Sequence, residues 1–314
     1  MPSIWVDASG WPVPPQVLLA CLIAEILYFR GWDILVKGAR AKQARTRNAR
    51  TLTGATAGER QSKAWLWRGA SFSSALFVFL IASSAPVDIL AGRLFWVHMV
   101  QHLLIMNVMA PLLVAGAPVI PLWLGLPRQV RKLFKVCVRL RVRRILYRLV
   151  GWLRQPAISC GLFIAGLWVW HWPTLYDLAL TNAIIHNWGE HATFLVVSIL
   201  FWTQVIPSQP LRMRTGYLGR IGCVLVIVAQ NVVLSAILGF AQTPLYAPYA
   251  HLAAGPLSAL QDQQLGAGIM WTFGDVPFGV SLAALLHRWL GSVMDEPETT
   301  PAREKTAGVI EPRS

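Results

Sequence analysis

Apolar residues in this chain run in long unbroken stretches instead of alternating with polar ones. Seven stand out, at 13–30, 66–85, 94–115, 157–172, 187–206, 217–240 and 264–290. A helix needs about 20 apolar residues to cross a hydrocarbon core about 30 Å thick. The fourth stretch is short and bracketed by Pro156 and Pro173. Continuous apolarity over such lengths excludes barrel strands, which alternate and are far shorter. No fixed-period repeat points to a solenoid. The pattern predicts an all-α integral membrane bundle of seven transmembrane helices, occupying residues 13–294.

Charge sits between the stretches, and it alternates. Segments 30–68 and 128–154 hold ten Lys or Arg each, 212–220 holds three and 288–313 four, so 27 of the 28 basic residues share one side and Arg93 faces the other. The positive-inside rule then places the N-terminus outside and the C-terminus in the cytoplasm. Residues 1–12 become an outer N-terminal segment, and 30–65 and 127–155 become basic cytoplasmic loops. Residues 295–314, polar with Pro and Glu, read as a disordered cytoplasmic tail. The first 16 residues have no basic n-region and no cleavage site, so they do not read as a signal peptide.

Within 128–150, basic side chains at 128, 131, 132, 135, 139 and 143 interleave with apolar ones at 130, 133, 134, 137, 145 and 149. That helical period predicts an amphipathic helix lying on an anionic inner leaflet. Segment 30–63 is less apolar and reads as a flexible basic loop.

Composition changes the picture little. Of 314 residues, 55% are hydrophobic and 13% charged, with fifteen Trp, which excludes a disordered or collagen-like chain. A net charge of +14 would suggest nucleic acid in a soluble protein. No recognition module accompanies it, so the charge reads as setting topology and no nucleic-acid partner is expected.

Buried polar groups are costly inside a membrane, which makes them functional candidates. Six of seven His fall on the outer side of this topology: His98 and His102 in the third stretch, His171 ending the fourth, His186 and His191 opening the fifth, and His251 in a connection. Only His287 lies near the inner side. His98 and His102 are four apart and share a helical stripe, which Met106 and Met109 continue inward with Met99 at its edge. Imidazole with thioether suits soft Cu(I). The plain alternatives are histidines bonded to neighbouring helices and methionines filling core gaps.

Glu190 lies four residues after His186 and shares its face, whereas His191 is rotated about 100° from Glu190. Glu190 is either an orienting carboxylate behind a ligand or one half of a structural bond. Asp262 faces the outer side and either joins the His group or caps its own helix at the N-terminus. Gly266 and Gly268 permit close helix approach. Asp275, beside Gly274 and near Pro277, marks a kink and reads as a relay or a structural partner. Glu25 reads as pairing with a cation of the inner loop. Four scattered Cys form no Cys-x-x-Cys, and no Walker loop, nucleophile elbow or haem-attachment motif is present, so no catalytic residues are assigned and the chain does not read as an enzyme.

Three blocks carry a resemblance: HMVQHLLIMNVMAPLLVAGAP at 98–118, HWPTLYDLALTNAIIHNWGEHATFLVVSILFW at 171–202, and PLYAPY with LSALQDQQLGAGIMW within 244–271. Together they resemble the signatures of the CtaG-type assembly factors of caa-type cytochrome c oxidase, over about residues 66–290. A single Pro111 stands where many members carry a Pro pair. The resemblance implies a multi-pass protein of the bacterial plasma membrane that matures cytochrome c oxidase through copper, with an oxidase subunit as partner. The matched positions are His98, His102, His186, Glu190, His191, Asp262 and Gln263. On this reading His98, His102, His186 and His191 hold Cu(I), with Glu190, Asp262, Gln263 and Met106 in support. Alternatives are a b-type haem electron carrier, a copper or proton transporter using Asp275, and a cofactor-free scaffold.

Overall fold

The computed structural model describes residues 13–47, 54–138, 140–251 and 257–294, and among these the chain is entirely helical, without strands. Helices α1 (Pro15–Arg47), α2 (Gly54–Ala82) and α3 (Ala85–Ala91) lead into α4 (Phe95–Leu103). A π-turn, Leu104–Met109, joins α4 to α5 (Ala110–Ala115), and α6 (Val119–Gly125) follows. Next come α7 (Arg128–Cys137), α8 (Leu140–Leu153), α9 (Pro156–Trp170) and α10 (Pro173–Thr181). A second π-turn, Ile185–His191, opens α11 (Ala192–Val205). The chain continues through α12 (Tyr217–Gly239), the short α13 (Ala247–His251), α14 (Ala259–Thr272) and α15 (Val276–Met294).

Among the described residues, four helical runs are long and apolar enough to cross a membrane: Ala64–Ala82, Phe95–Ala115, Tyr217–Gly239 and Ala259–Met294. A fifth arises if α9 and α10, bent by 73° where Pro173 starts the second helix, count as one span. The first and fifth apolar stretches are helical too, in α1 and in the second π-turn with α11, but fall outside that set. In the fifth, Asn187, Glu190 and His191 dilute the apolar run.

Two expectations change. Residues 30–47 and 54–63, expected as part of a flexible basic loop, are helical, since α1 runs through Arg47 and α2 starts at Gly54. Their Lys, Arg, Ala and Gln are good helix formers, which outweighs their polarity. The amphipathic segment forms two helices instead of one, because Val138 is extended between α7 and α8. Neither helix buries a residue. The expected outer segment 1–12 and tail 295–314 lie outside the described residues.

Polarity is distributed inside out. Leu19, Ile26, Phe77, Trp188, Val233 and Val280 are exposed, while His98, Gln101, His102, Glu190, Asp262 and Gln263 are buried. The main core joins α4, α9, α11, α12, α14 and α15, with Trp202 stacked on Phe278 at 5.2 Å. A smaller core holds α1 to α2, where Tyr28 stacks on Phe72 at 4.0 Å and donates a hydrogen bond to the Gly116 carbonyl.

The approach of α14 to α4 positions the functional region. A methyl group on Gly266 would sit 2.5 Å from the Phe95 ring and 3.1 Å from the Trp96 Cα, so only glycine lets the two helices meet there. Gly268 has nothing within 4 Å and, against expectation, serves no helix contact. Gly266→Ala should therefore lower stability toward the upper end of the roughly 1–3 kcal/mol range for overpacking. Gly268→Ala should be neutral or gain up to about 1 kcal/mol from the lost glycine entropy. Thermal unfolding of the detergent-solubilised variants checks this, and equal midpoints for the two would remove the proposed contact.

Candidate functional site

Helix α4 begins with its amides held from outside. The Phe95 and Trp96 N–H groups donate to Asp262 Oδ2 and Oδ1 at 2.7 and 3.2 Å, so a carboxylate from α14 satisfies donors that a helix start leaves unpaired. One turn on, His98 and His102 face the interior, 1% and 3% exposed, with their Nε2 atoms 2.9 Å apart.

The opposing residues come from the second π-turn. On an α-helix, positions five apart lie about 140° apart, which would separate His191 from His186. A π-turn is wider, so residues four and five apart share a face. Here the His186 and His191 rings are 4.1 Å apart between centroids, and Glu190, buried like His186, lies 3.0 Å from His186 Nδ1. The expected rotation of His191 away from this face does not occur.

Glu190 is the centre of the group. His186 Nδ1 donates to Glu190 Oε2 at 3.0 Å, His98 Nε2 lies 3.7 Å from Oε2, and His102 Nε2 lies 3.5 Å from Oε1. The carboxylate is 1% exposed, and among the described residues only imidazoles pair with it. Ligand atoms of His98, His186 and His191 lie within 4.8 Å of one another, as do those of His98, His102 and Glu190. Either set has the donor chemistry and spacing to hold a metal ion.

Neighbouring groups fix the tautomers. Burial holds the Tyr249 phenol well above its ordinary value, so it keeps its proton. That proton goes to the Ala91 carbonyl at 2.6 Å, and the Tyr249 oxygen then accepts from His98 Nδ1 at 2.9 Å. His98 Nε2 is therefore a lone pair aimed into the cluster. His102 Nδ1, His191 Nε2 and Glu190 Oε1 are buried without a hydrogen-bond partner.

The other expected residues lie around the cluster, not in it. Gln263 accepts from the Leu245 N–H and donates to the Leu238 carbonyl, tying α14 to the end of α12 and the loop that carries Tyr249. Met106 is buried in the first π-turn, and its carbonyl accepts from the Trp202 indole at 2.9 Å. His287 is exposed on α15, and the His251 side chain lies outside the described residues. Asp275 accepts from Asn231 at 2.9 Å where α14 breaks from α15. Glu25 accepts from the Ser73 hydroxyl on α2 and not from the expected cation, because the basic residues of α1 lie further along a continuous helix.

Sequence reasoning missed several contributors. Gln101 donates to the Ala82 carbonyl and to Asp88 Oδ1, and Asp88 borders a small pocket with His98 and His186. Tyr176 stacks on Tyr246 at 3.9 Å and lies 5.2 Å from the His98 ring. These tyrosines stand in the blocks already singled out, but nothing in their spacing shows that they meet.

Residues 50–292 match the cytochrome c oxidase caa3 assembly factor (Caa3_CtaG) family model, and the chain belongs to that family. Uncharacterised proteins of Mycobacterium bovis and Mycobacterium tuberculosis are each 26% identical over 222 residues, covering 67% of this chain and 32% of theirs. An uncharacterised Mycobacterium leprae protein is 24% identical over 216 residues, with the same coverage. The chain thus spans about a third of the length of the curated relatives it matches. No solved structure matches it significantly.

The Asp262 cap gives a direct test of how α4 is held. Asp262→Ala leaves two amides without their acceptor and should cost about 1–2 kcal/mol, as lost helix caps do. Asp262→Asn keeps one acceptor oxygen and should lose less. Thermal melts of the two variants decide it, and an alanine variant as stable as wild type would sink the capping role.

Proposed function

We propose that this member of the cytochrome c oxidase caa3 assembly factor family binds Cu(I) at the buried histidine cluster and delivers it to an oxidase subunit. His98, His102, His186 and His191 supply imidazole nitrogens, and Glu190 orients and balances them. The observation that carries this reading is Glu190 itself, a carboxylate 1% exposed whose partners among the described residues are imidazoles alone. A buried charge needs a counter-charge. A monovalent ion neutralises a single carboxylate, whereas a divalent ion leaves an excess charge in a dry site. Imidazole ligands and charge balance together favour Cu(I) over zinc.

The protein works as a seven-span bundle of the bacterial plasma membrane, N-terminus outside and C-terminus cytoplasmic. Support comes from the 27 basic residues confined to one side in sequence and from α7 and α8, which expose cationic and apolar side chains together, as an anionic inner leaflet requires. The cluster lies at the start of α4, and the basic helices follow the far end of α4 to α6. That order supports a metal position in the outer half, where an extracytoplasmic oxidase copper site would have access to it. Binding and release are the whole of its chemistry, with no catalytic step.

A haem reading fits less well. Two cavities border the cluster, of ≈ 20 and ≈ 10 Å³, each near the space of a single water. Two of the imidazoles already touch at 2.9 Å, and a porphyrin between them would have to part the helices.

Anaerobic reconstitution with Cu(I), followed by metal analysis of the purified protein, tests the proposal. Wild type and His287→Ala should retain copper stoichiometrically. His98→Ala/His186→Ala, which breaks both ligand sets at His98, should lose at least half of it. Equal copper in all three, or none in wild type, would overturn the assignment.

A further inference from the structure

On the inner side of the cluster lies the ≈ 20 Å³ cavity bordered by Met99, His102, Met106, Asn107, His171 and Met270. Methionine usually fills irregular gaps in a core. Here three buried methionines, 1%, 2% and 3% exposed, surround a gap that stays open.

The two histidines of this cavity each have one nitrogen committed and one without a partner. His171 Nδ1 donates to the Leu167 carbonyl at 2.8 Å, which makes Nε2 the lone pair, and that atom is buried with no hydrogen-bond partner. His102 Nε2 meets His98 at 2.9 Å in the outer cluster, while its Nδ1 is likewise buried and unpartnered. Leaving a buried nitrogen unsatisfied is costly, so two of them beside one cavity point to something that binds there. His171 is also held in place, since Tyr246 donates to its backbone carbonyl at 3.1 Å.

We propose that this cavity is a second Cu(I) position, formed by His171 and the thioethers of Met99, Met106 and Met270, with His102 standing between it and the outer cluster. The inference rests on the copper reading of that cluster and extends it to a two-position relay. Neutral imidazole and thioether form a soft donor set with no carboxylate, which suits a monovalent soft ion and disfavours zinc. Movement between the positions is ligand exchange. A Cu–S or Cu–N(His171) bond forms as a Cu–N bond in the outer cluster breaks, and the ion remains Cu(I) throughout.

A trapped water is the competing occupant, since the space accommodates one and the Asn107 Oδ1 atom is also unpartnered. Copper K-edge absorption on the full chain, loaded anaerobically with Cu(I), separates the two. The expected result is a mixed nitrogen and sulfur shell in wild type. Met99→Leu/Met106→Leu/Met270→Leu, close to volume-conserving, should lose the sulfur shell and about half the bound copper while its melting midpoint stays near wild type. His171→Gln should lose a similar share of copper, and His98→Ala/His186→Ala should keep the sulfur shell.

A nitrogen-only shell with unchanged copper in the leucine variant would overturn the inner position and leave the outer one standing. A sulfur shell that survives the leucine substitutions would assign the sulfur to cysteine or to another methionine and overturn it too. No copper in wild type would overturn both.

Discussion

A carboxylate buried among imidazoles is the constraint on which this structure turns. Glu190 has no Lys or Arg beside it among the described residues, and three imidazole nitrogens lie within 3.7 Å of its oxygens. Leaving such a charge uncompensated in a dry interior is among the costliest arrangements a fold can hold. The network narrows the remedies. His98 Nδ1 is committed to Tyr249 and His186 Nδ1 to Glu190. His98 Nε2 in turn meets His102 Nε2 at 2.9 Å, so what remains at the centre is a negative charge faced by imidazoles alone, and a single small cation would satisfy it.

Holding that centre open requires two helices to keep their faces together, and much of the surrounding polar chemistry serves this end. Gly266 lets α14 reach α4, and Asp262, one turn earlier on α14, then grips the first amides of α4. Gln263 ties the same helix to the loop that brings in Tyr249, and Tyr249 fixes the His98 tautomer. Gln101, between the two histidines of α4, anchors that helix to the end of α2 and to Asp88. Each of these side chains is buried or partly buried, yet each is spent on backbone or on another polar group. Glu190, by contrast, is met among the described residues by imidazoles alone.

How much of this was legible in the sequence follows from what pattern reports. Long apolar runs report helices, and all seven stretches are helical. The four-residue spacing of His98 and His102 reports a shared stripe, because α4 is regular there. The segregation of histidines toward one side anticipated that His186 and His191 would meet the α4 pair. Helical spacing failed at His191, since the π-turn that aligns it with His186 has no signature in hydrophobic period. It also failed for Asp262, whose partner amides lie 166 and 167 positions away. Charge patterning misread residues 30–47 and 54–63, because Lys and Arg are also strong helix formers. Gly268 failed for a simpler reason: a small residue permits close approach without requiring a neighbour.

The two proposed metal positions differ in a way that bears on direction. The outer cluster contains a carboxylate, and a divalent ion there carries one net charge above neutrality. The inner donor set is uncharged, so a divalent ion there keeps both charges in the dry interior, while Cu(I) keeps only one. The energetic gap between monovalent and divalent ions therefore widens from the outer position to the inner one, before any preference for sulfur is counted. On this proposal selectivity for Cu(I) would grow with depth, and an ion reaching the thioethers would have been sorted by charge as well as by softness. The same gradient makes the inner position the weaker attractor for any cation, since it lacks the Glu190 counter-charge. Copper held there stands uphill of the cluster in electrostatic terms, and thioether bonding has to offset that difference. Such a balance leaves the ion exchangeable between the two positions through His102, which is the property a carrier needs and a storage site does not.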